Sequence, residues 1–131
     1  MPPVIVDTSV WIEYFRLPDS THGDRVEEMI NEHEATLVGI VLAELLRGAR
    51  NEAETYFLQE KLGAVPFLES SKSTWMRAGG LLVDLSRRGL AIPLADAVIA
   101  AQALESGHQL YTLDEHFRRV PGLGLYETEA K

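Results

Sequence analysis

The stretch of sequence that decides the fold is Val4-Ile5-Val6-Asp7-Thr8-Ser9-Val10-Trp11. Its first three residues are β-branched, and such a run predicts a short buried strand over Val4–Val6. Thr8 or Ser9 can cap a helix, so we predict a helix over residues 8–15. Asp7 ends an apolar strand, where a solvated surface charge is not expected. This aspartate is therefore the first candidate for a functional residue.

The same alternation of apolar strands and helical patterns continues along the chain. Further strands are predicted over residues 36–39, 65–68, 109–113 and 124–126. Further helices are predicted over residues 24–33, 40–49, 51–62, 70–88, 96–106 and, as a short helix, 115–119. Gly79-Gly80 predicts a kink or a close helix contact, and Gly107 fits a left-handed helix end. Strand–helix alternation predicts an α/β fold with a mostly parallel sheet of four to five strands, covered on both faces.

Length and composition are those of one ordinary globular domain. The chain has 131 residues, of which 46% are hydrophobic, so we expect a single domain over residues 1–131. The absence of cysteine excludes disulfides, a zinc finger and a thiol nucleophile. No run approaches the ~18 apolar residues of a membrane span, and the N-terminus lacks the basic stretch of a secretory signal. We therefore expect a cytoplasmic protein without membrane contact.

The charge balance is acidic, with a formal net charge of −8. This value argues against a simple nucleic-acid-binding surface, because phosphate contacts usually need basic side chains. Much of the excess acid lies in solvated segments, at Glu27, Glu28, Glu32 and Glu34. We interpret these four side chains as contributing to solubility.

Four other acidic residues stand where a parallel sheet would bring them together. Ligands bind beyond the carboxyl ends of parallel strands, and Asp7 follows the first strand while Asp114 follows the fourth. Glu44 lies one turn into the helix after the second strand, and Asp96 opens the helix before the fourth. The topology therefore predicts a convergence, at one edge of the sheet, of Asp7, Glu44, Asp96 and Asp114.

Each of these acids also has a purely structural interpretation. Asp7, Asp96 and Asp114 each precede or open a helix and could act as its N-cap. Glu44 could form an ion pair with Arg47, three residues further on. Glu44 is the hardest to explain in this way, because its sequence neighbours are apolar and a buried, unpaired carboxylate costs on the order of several kcal/mol.

A cluster of ionised carboxylates is unfavourable by itself. Two carboxylates ~4 Å apart repel each other by roughly 4 kcal/mol at an effective dielectric constant of ~20, so the cluster must bind a divalent ion, share protons or stay apart. Oxygen ligands suit Mg²⁺ or Mn²⁺ rather than Zn²⁺. Such a metal polarises a phosphate and makes hydroxide available for in-line attack on a phosphodiester. It would also attract phosphate locally, although the molecule is negative.

Other polar residues are weaker candidates. Contacts to a nucleic acid backbone could come from arginines, with the doublets favoured: Arg47, Arg50, Arg87, Arg88, Arg118 and Arg119. Each can equally be a plain surface charge. No metal-ligand spacing is present among the histidines, which we interpret as surface or loop residues: His22, His33, His108 and His116.

Four segments carry a family resemblance: Val6-Asp7-Thr8-Ser9-Val10-Trp11-Ile12, Ala43-Glu44-Leu45-Leu46-Arg47-Gly48, Ile92-Pro93-Leu94-Ala95-Asp96-Ala97-Val98-Ile99-Ala100 and Leu110-Tyr111-Thr112-Leu113-Asp114-Glu115-His116-Phe117. Together they resemble the PIN domain, and closely the VapC-type toxins of bacterial and archaeal toxin–antitoxin pairs. The segments stand in the family's order and spacing and cover the chain from end to end. The Asp-Thr-Ser motif alone is weak, whereas the four motifs in register are specific.

The resemblance implies a three-layer α/β/α sandwich and an endoribonuclease that depends on Mg²⁺ or Mn²⁺ and arrests growth. It also implies a homodimer that a small cognate antitoxin neutralises. In the family's pattern Asp7 and Asp96 are the metal ligands, and Glu44 and Asp114 complete the acidic pocket. Hydroxyl groups that could hydrogen-bond the ligands or water are those of Thr8, Ser9 and Thr112.

Two other classes of protein stay open at this point. A phosphatase that resembles the haloacid dehalogenases would use Asp7 as its nucleophile, but it would want a second acid where Ser9 stands. A catalytically silent RNA-binding or protein-interaction module would keep the fold and lose an acid, and none of the four acids is missing.

Overall fold

The four strands of the sheet all run parallel. The computed structural model describes residues 2–128, and within them the strand order is β3-β2-β1-β4. The strands are β1 Val4–Val6, β2 Ala35–Val38, β3 Phe67–Leu68 and β4 Gln109–Tyr111. The helices are α1 Thr8–Arg16, α2 Thr21–Asn31, α3 Gly39–Arg47, α4 Glu52–Gly63, α5 Lys72–Arg87 and α6 Leu94–Ser106, followed after β4 by a 3-10 helix, Glu115–Arg119.

Helices cover both faces of this sheet because its central strands are apolar on both sides. Every residue of β1 and β2 is buried, as expected of parallel strands in an α/β protein. Helix α1 packs against α2, and α5 packs against α6. The α/β class and the three-layer α/β/α sandwich are thus confirmed, with four strands.

The register of β1 decides which residues meet at the carboxyl edge of the sheet. Val6 pairs with Tyr111 of β4, and the backbone N–H of Asp7 donates to the Tyr111 carbonyl oxygen at 2.9 Å. The residues that follow these two strands, Asp7 and Thr112, therefore leave the sheet side by side. Since β2 flanks β1 on its other side, helix α3 begins at the same edge.

Helix α6 is apolar around most of its circumference, and residues 97–103 are all buried. A helix without a polar face belongs inside a protein, so α6 is fixed along most of its length. Gly107 ends it with a φ of +73°, which confirms the predicted left-handed helix end. This burial holds Asp96, in the first turn of α6, in one place.

Two predictions of local structure are wrong. Residues 124–126 form no strand, because Gly122 turns the chain with a φ of +79° and leaves a single bridge between Leu110 and Leu125. Helix α5 continues through Gly79-Gly80 without interruption, and a Cβ at either glycine would meet no atom within 4 Å among the described residues.

No helix in the described part of the chain combines the length and the apolar character that crossing a membrane requires.

Candidate metal centre and active site

Asp7 is a buried carboxylate that two hydroxyl groups hold in place. It is 5% exposed, and its Oδ2 accepts hydrogen bonds from Ser9 Oγ at 2.8 Å and Thr112 Oγ1 at 2.7 Å. Burial raises the pKa of the Asp7 carboxyl, while the hydrogen bonds from Thr112 and Ser9 oppose this shift. Asp7 occupies the N-cap position of α1, but its side chain caps no backbone N–H. Asp7 thus has the predicted N-cap position, while its side-chain oxygen is bonded by the Ser9 and Thr112 hydroxyl groups.

The same two hydroxyl groups link the ends of β1 and β4. Ser9 Oγ accepts from the backbone N–H of Leu113 at 3.1 Å, and Thr112 Oγ1 accepts from the backbone N–H of Asp114 at 3.0 Å. Each hydroxyl thus donates to Asp7 and accepts from the chain that carries Asp114. The predicted role of Ser9 and Thr112, as hydrogen-bond donors to a ligand carboxylate, agrees with these contacts.

Asp96 lies in the first turn of α6 and lacks such support. Its Oδ2 is buried and has no hydrogen-bond partner among residues 2–128. Burial, followed by the charges of Asp114 and Asp7, raises the pKa of Asp96 to about 6. The N-cap of α6 is Pro93, so the capping interpretation of Asp96 is wrong. This carboxylate is held next to two others at a cost in free energy, as expected of a functional group.

Asp114 caps a helix, as its structural interpretation predicted, and its side chain also lies beside Asp96. Its Oδ1 accepts from the backbone N–H of His116 at 2.9 Å and so caps the 3-10 helix. The His116 Nδ1 atom lies 3.1 Å from this Oδ1 and 3.5 Å from Asp96 Oδ2. Ligand atoms of Asp96, Asp114 and His116 all lie within 4.8 Å of one another. Its capping role thus places Asp114 beside Asp96.

Glu44 is linked to this cluster by a hydrogen bond from Thr8. Thr8 Oγ1 donates to Glu44 Oε1 at 2.6 Å, and Thr8 directly follows Asp7. Among the described residues Glu44 makes no ion pair with Arg47, so that interpretation is wrong. Glu44 is half-buried, less enclosed than its apolar sequence neighbours suggest.

His116 is the site residue that the sequence interpretation missed. From the sequence we interpret it as a surface or loop residue, whereas it lies in the 3-10 helix with its Nδ1 facing the two aspartates. The available signal was its position two residues after Asp114, where a cap brings the residue back toward the carboxylate. Without knowing where α6 begins in space, this spacing could not be distinguished from a surface loop.

The candidate RNA-contacting arginines stay predictions. Arg118 pairs with Glu115 and Glu127, and Arg119 donates to the Ala91 carbonyl oxygen at 2.8 Å. Arg50 pairs with Glu54 at 2.7 Å. The remaining candidates are solvent-exposed: Arg47, Arg87 and Arg88.

The donor set fits a divalent cation. Asp96 Oδ2 and His116 Nδ1 are both buried without a hydrogen bond among the described residues, although they lie in a cluster of polar groups. Buried polar atoms are normally paired, and a bound cation would satisfy both. Carboxylate oxygens dominate the cluster, and these are the ligands that Mg²⁺ and Mn²⁺ take in proteins.

The chain belongs to the PIN domain family, whose model matches residues 4–123. It is similar to the protein named ribonuclease VapC11 of Mycobacterium tuberculosis, with 26% identity over 118 residues that cover 87% of this chain and 88% of that protein. The fold matches that of VapBC2 from Rickettsia felis, solved bound to a DNA fragment from its promoter, with a TM-score of 0.81, 22% identity and coverage of 94% and 96%. It also matches VapBC-5 of Mycobacterium tuberculosis, described as a member of the VapBC family of toxin–antitoxin systems, with a TM-score of 0.66, 21% identity and 94% of each chain covered.

Proposed function

We propose that this chain is an endoribonuclease that depends on Mg²⁺ or Mn²⁺ and acts as the toxin of a toxin–antitoxin pair. The observation that carries the proposal is Asp96, a carboxylate whose pKa is raised to about 6 by burial and by the charges of Asp114 and Asp7. At neutral pH the ionised carboxylates of such a cluster repel each other, and a bound divalent cation would remove this cost. Membership in the PIN family and similarity to a protein named as a ribonuclease support the choice of RNA. The proposed unit is one nuclease domain over residues 1–131, acting on RNA in the cytoplasm.

We propose a separate role for each group of side chains in the candidate site. Asp7, Asp96 and Asp114 would hold the cation, which when bound polarises the phosphate and supplies hydroxide at neutral pH. The Ser9 and Thr112 hydroxyls keep the Asp7 carboxylate oriented before any ligand arrives. Glu44, oriented by Thr8, is the carboxylate that we propose to position the attacking water.

The test is cleavage of a fluorescently labelled RNA by the purified protein. We expect EDTA to abolish cleavage and Mg²⁺ or Mn²⁺ to restore it, and we expect Asp96→Asn to stay inactive with either metal. Asp84→Asn, at an exposed position of α5, is the matched control and should cut like wild type. Metal-independent cleavage, or an active Asp96→Asn protein, contradicts the proposal.

The proposed partner is a small antitoxin. Between α1, α3 and α4 lies a groove of about 610 Å³ with Glu44 and Phe57 in its lining. Its other apolar residues include Ile12, Phe15 and Leu58, so it suits a short amphipathic segment. We expect the product of an adjoining reading frame to co-purify with the chain and to suppress cleavage. Phe57→Arg, at a 55% exposed position, should lose this co-purification and keep the nuclease activity.

We also propose a homodimer, supported by the outer surface of α5. Trp75, Met76 and Val83 are 54%, 70% and 49% exposed, and an apolar surface of this kind marks an interaction site. Met76→Glu should convert a dimer into a monomer in light scattering after gel filtration. A chain that is monomeric before the substitution contradicts this part of the proposal.

The two alternative classes, a phosphatase and a catalytically silent RNA-binding module, are supported to different degrees. Membership in the PIN family argues against the phosphatase interpretation. The Asp7 Oδ2 atom also accepts hydrogen bonds from Ser9 and Thr112, so it is an oriented acceptor and not a free nucleophile. A silent RNA-binding module has no supporting observation, since the four acids are present. RNA bound but never cut, at any metal concentration, would favour it.

A further inference from the structure

One nitrogen atom lies within the oxygen-rich cluster. His116 Nδ1 is 3.1 Å from Asp114 Oδ1 and 3.5 Å from Asp96 Oδ2. The nitrogen is buried, although its side chain is 43% exposed. A histidine that merely covered the aspartates would be expected to donate a hydrogen bond to one of them. In the described part of the chain, neither Nδ1 nor Asp96 Oδ2 makes a well-aligned hydrogen bond, although the two atoms are close enough for the His116 contact to lower the pKa of Asp96.

We propose that His116 is a direct nitrogen ligand, through Nδ1, of the cation that Asp96 and Asp114 hold. The centre is then a mixed nitrogen–oxygen site that prefers Mn²⁺ to Mg²⁺. This inference rests on the proposed metal-dependent function and specifies its metal. It also assigns to a residue outside the four acids a direct contact with the ion.

The distances are compatible with three groups that share one ion. Two ligands at right angles around an ion with bonds of about 2.1 Å lie about 3 Å apart. The separations of 3.1 Å and 3.5 Å from Nδ1 to the two carboxylate oxygens are close to this value. The three groups can therefore share one ion with small adjustments of side chains.

The backbone holds the imidazole in this position. The backbone N–H of His116 donates to Asp114 Oδ1 at 2.9 Å, which fixes the start of the 3-10 helix. The next residue, Phe117, is 1% exposed and anchors that helix in the core. The imidazole is thus presented to the carboxylates by two independent constraints, as expected of a preorganised ligand.

The identity of the donor atom predicts which ion is preferred. Mg²⁺ is bound through oxygen ligands and retained water molecules, whereas imidazole suits transition metals. Mn²⁺ accepts both kinds of ligand. Replacing His116 by a side chain without the ring nitrogen should therefore weaken Mn²⁺ binding and have little effect on Mg²⁺.

The experiment uses Mn²⁺ as the probe, on protein without RNA. Electron spin-echo envelope modulation of the Mn²⁺-loaded wild type should show coupling to a ¹⁴N nucleus, and His116→Asn should lose it. Calorimetry should give at least about tenfold weaker Mn²⁺ binding for His116→Asn, because a direct ligand matters no less than the groups that support it. Its Mg²⁺ affinity should change less than about twofold.

His33→Asn is the matched control. His33 has a φ of +59°, which asparagine tolerates, and it precedes β2 at the opposite edge of the sheet. The control should keep the ¹⁴N coupling and the Mn²⁺ affinity. Wild type that binds Mn²⁺ without ¹⁴N coupling, or His116→Asn that keeps it, overturns the inference and leaves the nuclease proposal intact. If the Mn²⁺-loaded protein shows ¹⁴N coupling but cuts no RNA, the nuclease proposal fails and the ligation by His116 stands.

Discussion

The two sides of the candidate site hold their carboxylates in different ways. On one side, which we call the hydroxyl side, Asp7 is bonded by Ser9 and Thr112. On the other, the charged side, Asp96 faces Asp114 and His116, and its Oδ2 has no hydrogen bond to any described residue. Asp7 is the more deeply buried of the two aspartates. Nevertheless, it is for Asp96 that the raised pKa reaches about 6.

This difference teaches that burial alone does not decide the cost of a buried acid. Hydrogen bonds to the ionised form compensate part of the lost hydration of Asp7, whereas neighbouring charges add to the cost at Asp96. The hydroxyl side therefore keeps its geometry without a ligand. The charged side is stabilised by whatever cation it binds.

The largest expected effect is common to both sides. Asp7→Asn should lower RNA cleavage by at least ~10³-fold, as Asp96→Asn should, because each removes a ligand charge that the bound cation needs. Circular dichroism should show that both proteins fold. An Asp7→Asn protein that cuts RNA at the wild-type rate would falsify the carboxylate mechanism.

Removing a hydroxyl group tests the hydroxyl side alone. Thr112→Val loses the bond to Asp7 and the one accepted from Asp114 N–H, so we expect a loss of about 1–2 kcal/mol in unfolding free energy. Cleavage should fall about tenfold, since the carboxylate loses its orientation. Urea unfolding and single-turnover kinetics measure the two effects. Thr112→Ser, which keeps the hydroxyl, should recover most of both; failure to recover would assign the effect to the lost methyl group.

The raised pKa of Asp96, on the charged side, should make the stability of the protein depend on pH. Because folding raises the pKa of Asp96 from 3.8 to about 6, the folded protein binds more protons than the unfolded one in this range. Stability therefore falls as pH rises through it, and the full cost is present above about pH 6. After discounting for solvent screening, the effect is on the order of 1 kcal/mol.

Thermal unfolding in EDTA measures this effect. Asp96→Asn should be more stable than wild type at pH 7, and the two should converge toward pH 4. The comparison with the variant is needed because the raised pKa of Asp7 acts in the same direction. A variant that is less stable at pH 7 would show that Asp96 is compensated in the metal-free protein.

The smallest effect is expected at the hydrogen bond between Thr8 and Glu44. Thr8→Val removes a half-buried donor and should cost about 0.5–1 kcal/mol in stability. Cleavage should fall only a few-fold, because Glu44 keeps its charge and its place on α3. Glu44→Gln should have the larger effect on the cleavage rate, and equal effects of the two substitutions would contradict the water-positioning role.

The sequence was sufficient for the elements that apolar periodicity determines. The bounds of β1 are as predicted, and α6 ends at Ser106 as predicted, because a buried strand and a glycine helix end leave direct traces in the sequence. The convergence of Asp7, Asp96 and Asp114 followed from the rule for parallel strands. The rule did not predict which other side chains would contact each of these acids.

His116 and Thr8 show why the rest could not be predicted. The contact of His116 with Asp96 depends on where the start of α6 lies relative to the 3-10 helix, and this is decided by packing of the buried core. Thr8 bonds Glu44 across 36 positions of sequence, a distance over which no local pattern carries information. Residues that lie close together at the edge of the sheet are thus far apart in the sequence.

The pairing of β1 with β4 has a consequence for when activity can begin. Asp7 and its partner Thr112 are 105 positions apart, so at 5–20 residues per second the ribosome needs roughly 5–20 s between them. During that interval the nascent chain has its first carboxylate, lacks Asp114 throughout and lacks Asp96 for most of the time. A chain that stops before β4, through a nonsense codon or premature release, cannot assemble the acidic cluster. Under the proposed function, only a polypeptide that extends beyond Asp114 is a nuclease.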